Sequence, residues 1–312
     1  MAKRNLLSVN DFSKPEILHI IDWAKRIKKN PKAYASALKD KTLLMLFEKP
    51  SLRTRLSFEV GMTQMGGHAI FYSIKDSPLG KKESVADTAR TSSRYVDIIM
   101  ARTFAHSDIE ELAKYATVPV INALSNFAHP CQILCDLMTI QEKGKNIENL
   151  KLAYFGDCNN NVTHDLMYAA GVVGFEIAVC CPPEEQFKPQ KKVLEEVQEL
   201  CSRNGGKLIV TEDVEKAAAG ADVVYTDSWM SYHISESEKE ARVKTLLPYQ
   251  VNSTVMGMAK KDAVFMNCLP AMRGYEQTAG VIDGPQSIVF DQAENRLHVQ
   301  KAIMLYLLGK KD

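Results

Sequence analysis

Side chains suited to chemistry cluster in short loops that follow apolar runs. The loop Glu48-Lys49-Pro50-Ser51-Leu52-Arg53-Thr54-Arg55 stands between the run 42–47 and a helical pattern. A helix start presents unpaired N–H groups and the positive end of its dipole, so it favours a phosphate. Ser51 and Thr54 add hydroxyls, and Arg53 and Arg55 add planar forks that match phosphate oxygens in pairs. An ordinary helix start with surface arginines would look the same. Arg102 directly follows the run 97–101, as a ligand for an anion or as an exposed strand-end arginine. His129 precedes Pro130, a residue suited to the first helical position. The dipole there favours a neutral imidazole, which can donate one hydrogen bond to a carbonyl oxygen. Gln132, one turn on, offers both a donor and an acceptor. A structural histidine is an equal reading.

Further loops lie in the second half. Gly156-Asp157-Cys158-Asn159-Asn160-Asn161 hints at dinucleotide binding through its glycine, but the GxGxxG fingerprint is absent. Its amides could hold a zwitterion or simply form a polar turn. Asp227, in Asp227-Ser228-Trp229-Met230-Ser231-Tyr232-His233, could hold an ammonium group or cap a helix. Cys268, in Asn267-Cys268-Leu269-Pro270, is either a functional thiol or a buried inert one.

Elements that position these loops alternate along the chain. Helices are expected over 11–29, 51–65, 87–95, 107–115 and 130–143, with strands over 42–47, 69–72, 97–101 and 118–122. After a polar break at 144–149 the alternation restarts, with strands at 150–155, 176–181, 207–211, 222–226 and 264–267. Helices over 162–173, 191–204 and 214–219 lie among them, and an apolar helix covers 295–308. Two such series predict an α/β fold of two doubly wound domains with parallel sheets. Ligands in such sheets gather outside the carboxyl ends of the strands.

With 312 residues, two domains are the default, and 46% hydrophobic with 25% charged residues is an ordinary globular mix. A net charge of +1 provides no field for nucleic acid or a membrane surface. The first residues do not read as a secretory signal, and no apolar run reaches the roughly 18 residues of a membrane span. Seven scattered cysteines read as free thiols in a reducing, cytoplasmic setting. Cys131 and Cys135 read as packing residues, and no metal site is expected.

Taken in order, the loops resemble the ornithine members of the aspartate/ornithine carbamoyltransferase family. SLRTR resembles the family's Ser-Thr-Arg-Thr-Arg, and HPCQ matches its His-Pro-Cys-Gln. GDCNNN, DSWMS and NCLP resemble its Gly-Asp…Asn-Asn, Asp-x-Trp-x-Ser and His-Cys-Leu-Pro. The stretch 290–297 resembles its closing segment, and the likeness runs from about Asn5 to the end. It implies a carbamoyl phosphate-binding domain over 1–143, an amine substrate-binding domain over 150–290, and a last helix, 295–312, returning to the first domain.

It also implies a homotrimer in arginine metabolism that carbamoylates L-ornithine without metal or organic cofactor. By resemblance, Ser51, Leu52, Arg53, Thr54 and Arg55 hold the phosphate, and Arg102 and His129 face the carbonyl oxygen. Gln132 and the backbone at Leu269 hold the carbamoyl nitrogen, and Arg296 assists at the donor. Asn161, Asp227, Ser231 and Tyr232 belong to the acceptor side, with Cys268 and Asp227 near the attacking amine.

The chain departs from the family pattern at several positions. Leu52 stands for a Thr, Asn267 for a His, and Tyr232-His233 for Met-Gly, which leaves putrescine, lysine or a modified ornithine as alternative acceptors. Pro78 stands where donor-contacting polar residues occur. A nicotinamide-dependent oxidoreductase and a non-catalytic ligand binder are the rival readings from other classes.

Overall fold

In the computed structural model, residues 3–74, 83–230 and 234–311 are described. Contacts divide the chain into two compact units, Met1–Met138 with Glu294–Asp312, and Thr139–Ala293.

Unit 1 begins with α1 (Lys14–Lys29), fixed at its start by Glu16, which accepts from the backbone N–H of Ser13 at 2.9 Å and its hydroxyl at 2.7 Å. Then come β1 (Thr42–Phe47), α2 (Leu52–Gln64), β2 (His68–Ser73), α3 (Val85–Ser92), β3 (Ile98–Arg102), α4 (His106–Tyr115), β4 (Val120–Leu124) and α5 (Pro130–Glu142). The strands form a parallel sheet in the order β2-β1-β3-β4. Its direction of growth reverses between β1 and β3, so the loops after these two strands flank the switch point. There the N–H of Glu48 donates to the carbonyl of Arg102 at 2.9 Å.

Unit 2 runs β5 (Lys151–Phe155), α6 (Asn161–Val173), β6 (Glu176–Cys180), α7 (Lys191–Asn204), β7 (Lys207–Thr211), α8 (Val214–Ala218), β8 (Val223–Thr226), α9 (Lys239–Leu246), α10 (Ser253–Met258), β9 (Val264–Met266) and α11 (Ala279–Ile282). Its parallel sheet has the order β7-β6-β5-β8-β9, with the switch between β5 and β8. The expected fold class is observed: two α/β units, each with a helix-flanked parallel sheet.

The last helix, α12 (Val289–Leu307), starts six residues before the expected Asn295. The polar run Asp291-Gln292 and Glu294 hides the apolar pattern there, while Val289 is buried. From Glu294 onward α12 belongs to unit 1. Gly61 of α2 permits its close approach: a Cβ there would lie 3.4 Å from Lys301 Cγ and 3.5 Å from Met304 Cε. Phe12 meets Tyr306 edge-on at 5.3 Å. This packing brings Arg296 over the start of α2. Among the described residues, no helix is long and apolar enough to cross a membrane.

Candidate active site

Unit 1 places its polar residues around the carboxyl ends of β1, β3 and β4. Ser51 is the N-cap of α2, and its Oγ accepts from the N–H of Thr54 at 3.3 Å and donates to Thr54 Oγ1 at 3.1 Å. Thr54 is buried. Arg102 is the last residue of β3, where the pairing with β4 shifts register between Ala101 and Arg102, so it lies within the strand and not after it. It is 6% exposed, which removes the reading of a solvated strand-end arginine. His129 directly precedes α5, and its carbonyl accepts from the N–H of Gln132 at 3.0 Å. Arg296 donates to Gln132 Oε1 at 2.6 Å and to Thr54 Oγ1 at 3.4 Å. Its second face meets the amide oxygen of Gln300 at 2.9 Å, once that amide is oriented to satisfy both of its ends.

These groups set the charge on the histidine. Burial and the cations Arg296, Arg102, Arg53 and Lys49 hold the His129 imidazole well below its ordinary range. It is therefore neutral near pH 7. Lys49, to which the sequence reading gave no role, is 3% exposed. Its ammonium lies 4.4 Å from the centre of the Phe104 ring and donates to Asn126 Oδ1. Burial, then the Arg102 charge, pushes it down to about 8.

Two expected members of the cluster are placed elsewhere. Arg55 is turned to the exposed face of α2, where Nε pairs with Glu59 at 3.0 Å and the guanidinium covers Phe71 at 4.0 Å. That placement lends no support to the expectation that it shares in the phosphate grip. Leu52 is 70% exposed and its side chain is apolar, so only its backbone N–H, in the first helical turn, could serve an anion.

Unit 2 builds a different cluster. Cys268 Sγ donates to Asp227 Oδ1 at 3.1 Å, joining the loops after β9 and β8. Six of the seven cysteines are buried, and Cys268 alone is part-exposed. Leu269 has φ 58°, an unusual left-handed value for a residue with a branched side chain. Asn267 holds it there: Oδ1 accepts from the Leu269 N–H at 2.8 Å while Nδ2 donates to Gln277 Oε1 at 3.0 Å. In the loop after β5, Asn160 caps α6, accepting from Val162 and Thr163 N–H at 2.9 Å each, and Asn161 opens the helix. Gly156 has φ 120°, and a Cβ there would lie 2.9 Å from Trp229 Nε1. That glycine serves the packing of Trp229, which accounts for it without a dinucleotide. Ser231, Tyr232, His233 and Pro78 lie outside the described residues. Among the described residues, no group of three or more His, Cys, Asp or Glu is placed to hold a metal ion.

Comparison with known proteins follows the same division. Residues 4–142 match the family model of the aspartate/ornithine carbamoyltransferase carbamoyl-P binding domain, and residues 148–307 that of its Asp/Orn binding domain. The chain belongs to the aspartate/ornithine carbamoyltransferase family. It is 51% identical to the ornithine carbamoyltransferase of Carboxydothermus hydrogenoformans over 98% of each chain. Among solved structures, the ornithine carbamoyltransferase of Pyrococcus furiosus superposes with a TM-score of 0.94 at 48% identity, covering 100% of this chain and 99% of the other. The ornithine transcarbamoylase of Giardia lamblia gives 0.92 at 45% identity, with both chains fully covered.

Within this carbamoyltransferase frame, sequence reading missed Lys49, Gln300 and two charged residues of unit 2, the buried Glu276 and the nearly buried Arg242. Lys49 had one available signal, its place at the carboxyl end of an apolar strand beside a proline. The others are isolated polar residues whose partners are distant in sequence.

Proposed function

We propose that this carbamoyltransferase moves the carbamoyl group of carbamoyl phosphate to the side-chain amine of L-ornithine, giving L-citrulline and phosphate. The observation that carries this reading is the unit 1 cluster: one neutral imidazole among three buried cations and Arg53, beside a hydroxyl-capped helix start. That combination suits an acyl phosphate, with cations for the phosphate and a neutral donor for the carbonyl oxygen. Arg53, Ser51, Thr54 and the backbone of Leu52 receive the phosphate. Arg102 and the neutral His129 donate to the carbonyl oxygen as negative charge builds there. Gln132 and the Leu269 carbonyl receive the carbamoyl N–H groups, and Arg296 fixes Gln132 and Thr54.

The acceptor belongs to unit 2. Asp227 and Cys268 face the attacking amine, and Asn161, Ser231 and Tyr232, assigned by the family resemblance, take the amino-acid end. An alkyl ammonium, with a pKa near ~10, loses one proton before attack. The amine nitrogen then bonds to carbon, the carbon–oxygen bond to phosphate breaks, and a second proton leaves with the phosphate. Positioning supplies roughly 7–11 kcal/mol of the barrier reduction in such two-substrate reactions.

We also read the chain as a cytoplasmic homotrimer of arginine metabolism. Exposed apolar side chains on α2 and β2 support self-association: Leu52, Leu56, Ile70, Phe71 and Tyr72 are 38–70% exposed. Light scattering of the purified protein tests the mass.

The activity test is a colorimetric assay for ureido product with carbamoyl phosphate and a panel of L-ornithine, L-lysine and putrescine. Ornithine should be preferred. Product from no amine would overturn the reading.

A further inference from the structure

Three loops of unit 2 follow the carboxyl ends of β5, β8 and β9, and two charged side chains, one buried and one nearly so, tie them together. Glu276, 1% exposed, accepts from the N–H of Trp229 at 3.1 Å and from the N–H of Met272 at 2.9 Å. It thereby joins the loop that carries Asp227 to the loop that carries Cys268. Arg242, on α9, grips the other side of the same residue: its Nε donates to the Trp229 carbonyl at 3.0 Å. Its second nitrogen pairs with Asp157 Oδ2 at 2.5 Å, each side chain 11% exposed, and its guanidinium lies 5.0 Å from the Phe187 ring. Asp157 in turn accepts from the N–H of Asn159 at 2.9 Å, inside the loop that leads to Asn161. Trp229, two residues beyond Asp227, is thus held from both sides.

Such an arrangement costs desolvation. Replacing such a buried carboxylate and nearly buried guanidinium together by well-packed apolar groups is often neutral for stability, whereas removing one partner strands the other. What they provide is geometry, because a carboxylate accepting from two loops fixes the distance between those loops. The Cys268 Sγ–Asp227 Oδ1 contact at 3.1 Å spans the same two loops.

We infer that Glu276 and Arg242 are positioning residues for the acceptor amine, setting the placement of Asp227 and Cys268 through the backbone N–H and carbonyl of Trp229 and the N–H of Met272. The inference rests on the reading that Asp227 and Cys268 face the amine. Neither residue touches the substrate in this scheme. Their substitution should therefore alter recognition of the amine and leave the donor side alone.

The substitutions are Glu276→Gln and Arg242→Lys. Glutamine keeps one acceptor oxygen but sets an NH2 against one of the two backbone donors. Lysine keeps the charge but cannot reach Trp229 and Asp157 together as a fork. Steady-state kinetics with the full-length protein should show KM for the amine raised on the order of tenfold to a hundredfold, the weight of one displaced hydrogen bond to a charged group. KM for carbamoyl phosphate should stay within about twofold. Because both residues hold the backbone of Trp229, the double variant should lose less than the product of the single effects. Should Glu276→Gln fold poorly, Arg242→Lys carries the test alone.

Equal losses toward both substrates with a lowered Tm would overturn the inference in favour of a purely structural tie. Unchanged kinetics in both variants would overturn it as well. A wild-type protein that carbamoylates no amine would instead overturn the functional reading beneath it, so the two failures are distinguishable.

Discussion

Unit 1 gathers like charges around a histidine, whereas unit 2 surrounds its reactive pair with groups that satisfy one another. Around His129 stand Lys49, Arg53, Arg102 and Arg296, whose fields push the imidazole toward neutrality. Around Asp227 and Cys268, Glu276 holds two backbone donors and Asn267 and Gln277 hold each other. The difference teaches how much of each cluster is already satisfied before its ligand arrives. A nest of cations is costly until an anion arrives, so its residues should serve function more than folding. A satisfied polar network is already paid in hydrogen bonds, so its residues should matter to folding as well.

The largest effect that could break this contrast comes from Arg102→Ala. Removing a donor aimed at a developing oxyanion costs ~100- to 1,000-fold in rate. Turnover measured with saturating ornithine should fall by about that factor, while Tm from a thermal scan should move by only a few degrees, because the deletion also relieves repulsion with Lys49. A large drop in Tm with modest kinetic loss would reverse the roles assigned to the two units.

Next in size is Asn267→Ala in unit 2. It strands the Leu269 N–H and the Gln277 amide inside the protein, and unsatisfied buried groups cost about 1–3 kcal/mol each. Here Tm should fall by several degrees, since 1 kcal/mol shifts a domain of this size by ~2–4 °C. Asn267→His, which installs the side chain usual in the family, should recover part of that loss if its ring reaches either partner. Calorimetry of the two variants side by side decides it.

A third effect is pH dependence at Lys49. Burial and Arg102 lower its ammonium to about 8. An anion binds the charged form, so donor affinity should be full below that pH and decline above it, where the neutral amine predominates. In a pH series, kcat/KM for carbamoyl phosphate should therefore bend downward above about 8. Lys49→Met should lie below wild type by on the order of tenfold, the worth of about 1.4 kcal/mol, and should lose the bend. Retention of the bend in that variant would assign it to another group.

How much of this was legible in the sequence depends on the range of the interactions. The strand–loop–helix pattern is local, and 42–47 was read with its observed bounds because a continuous apolar run admits little else. Ser51 and Pro130 marked their helix starts for the same reason. Arg102 was read as one residue past its strand because a register shift against β4 is invisible in a single segment. Arg55 looked equivalent to Arg53, two residues away, but helical geometry sends i and i+2 to different faces. Lys49 was passed over because lysines are rarely buried, and Glu276 because its partners lie 47 and 4 residues away.

The smallest expected effect is the one at Ser51, and it tests the contrast at its weakest point. Ser51 is both a cap and a member of the anion cluster. Its Oγ accepts from the Thr54 N–H at 3.3 Å, long for a cap bond, and donates to Thr54 Oγ1 at 3.1 Å. Loss of a good N-cap costs about 1 kcal/mol, so Ser51→Ala should cost no more than that, a shift of a few degrees or less in Tm. Ser51→Gly should cost only a few tenths of a kcal/mol, since glycine is itself tolerated at this position. If the hydroxyl is held loosely because it awaits a phosphate oxygen, both variants should raise KM for carbamoyl phosphate alike, several-fold, despite their different stabilities. A KM that instead follows stability, with Ala worse than Gly, would mean that Ser51 acts through the helix start and does not touch the donor.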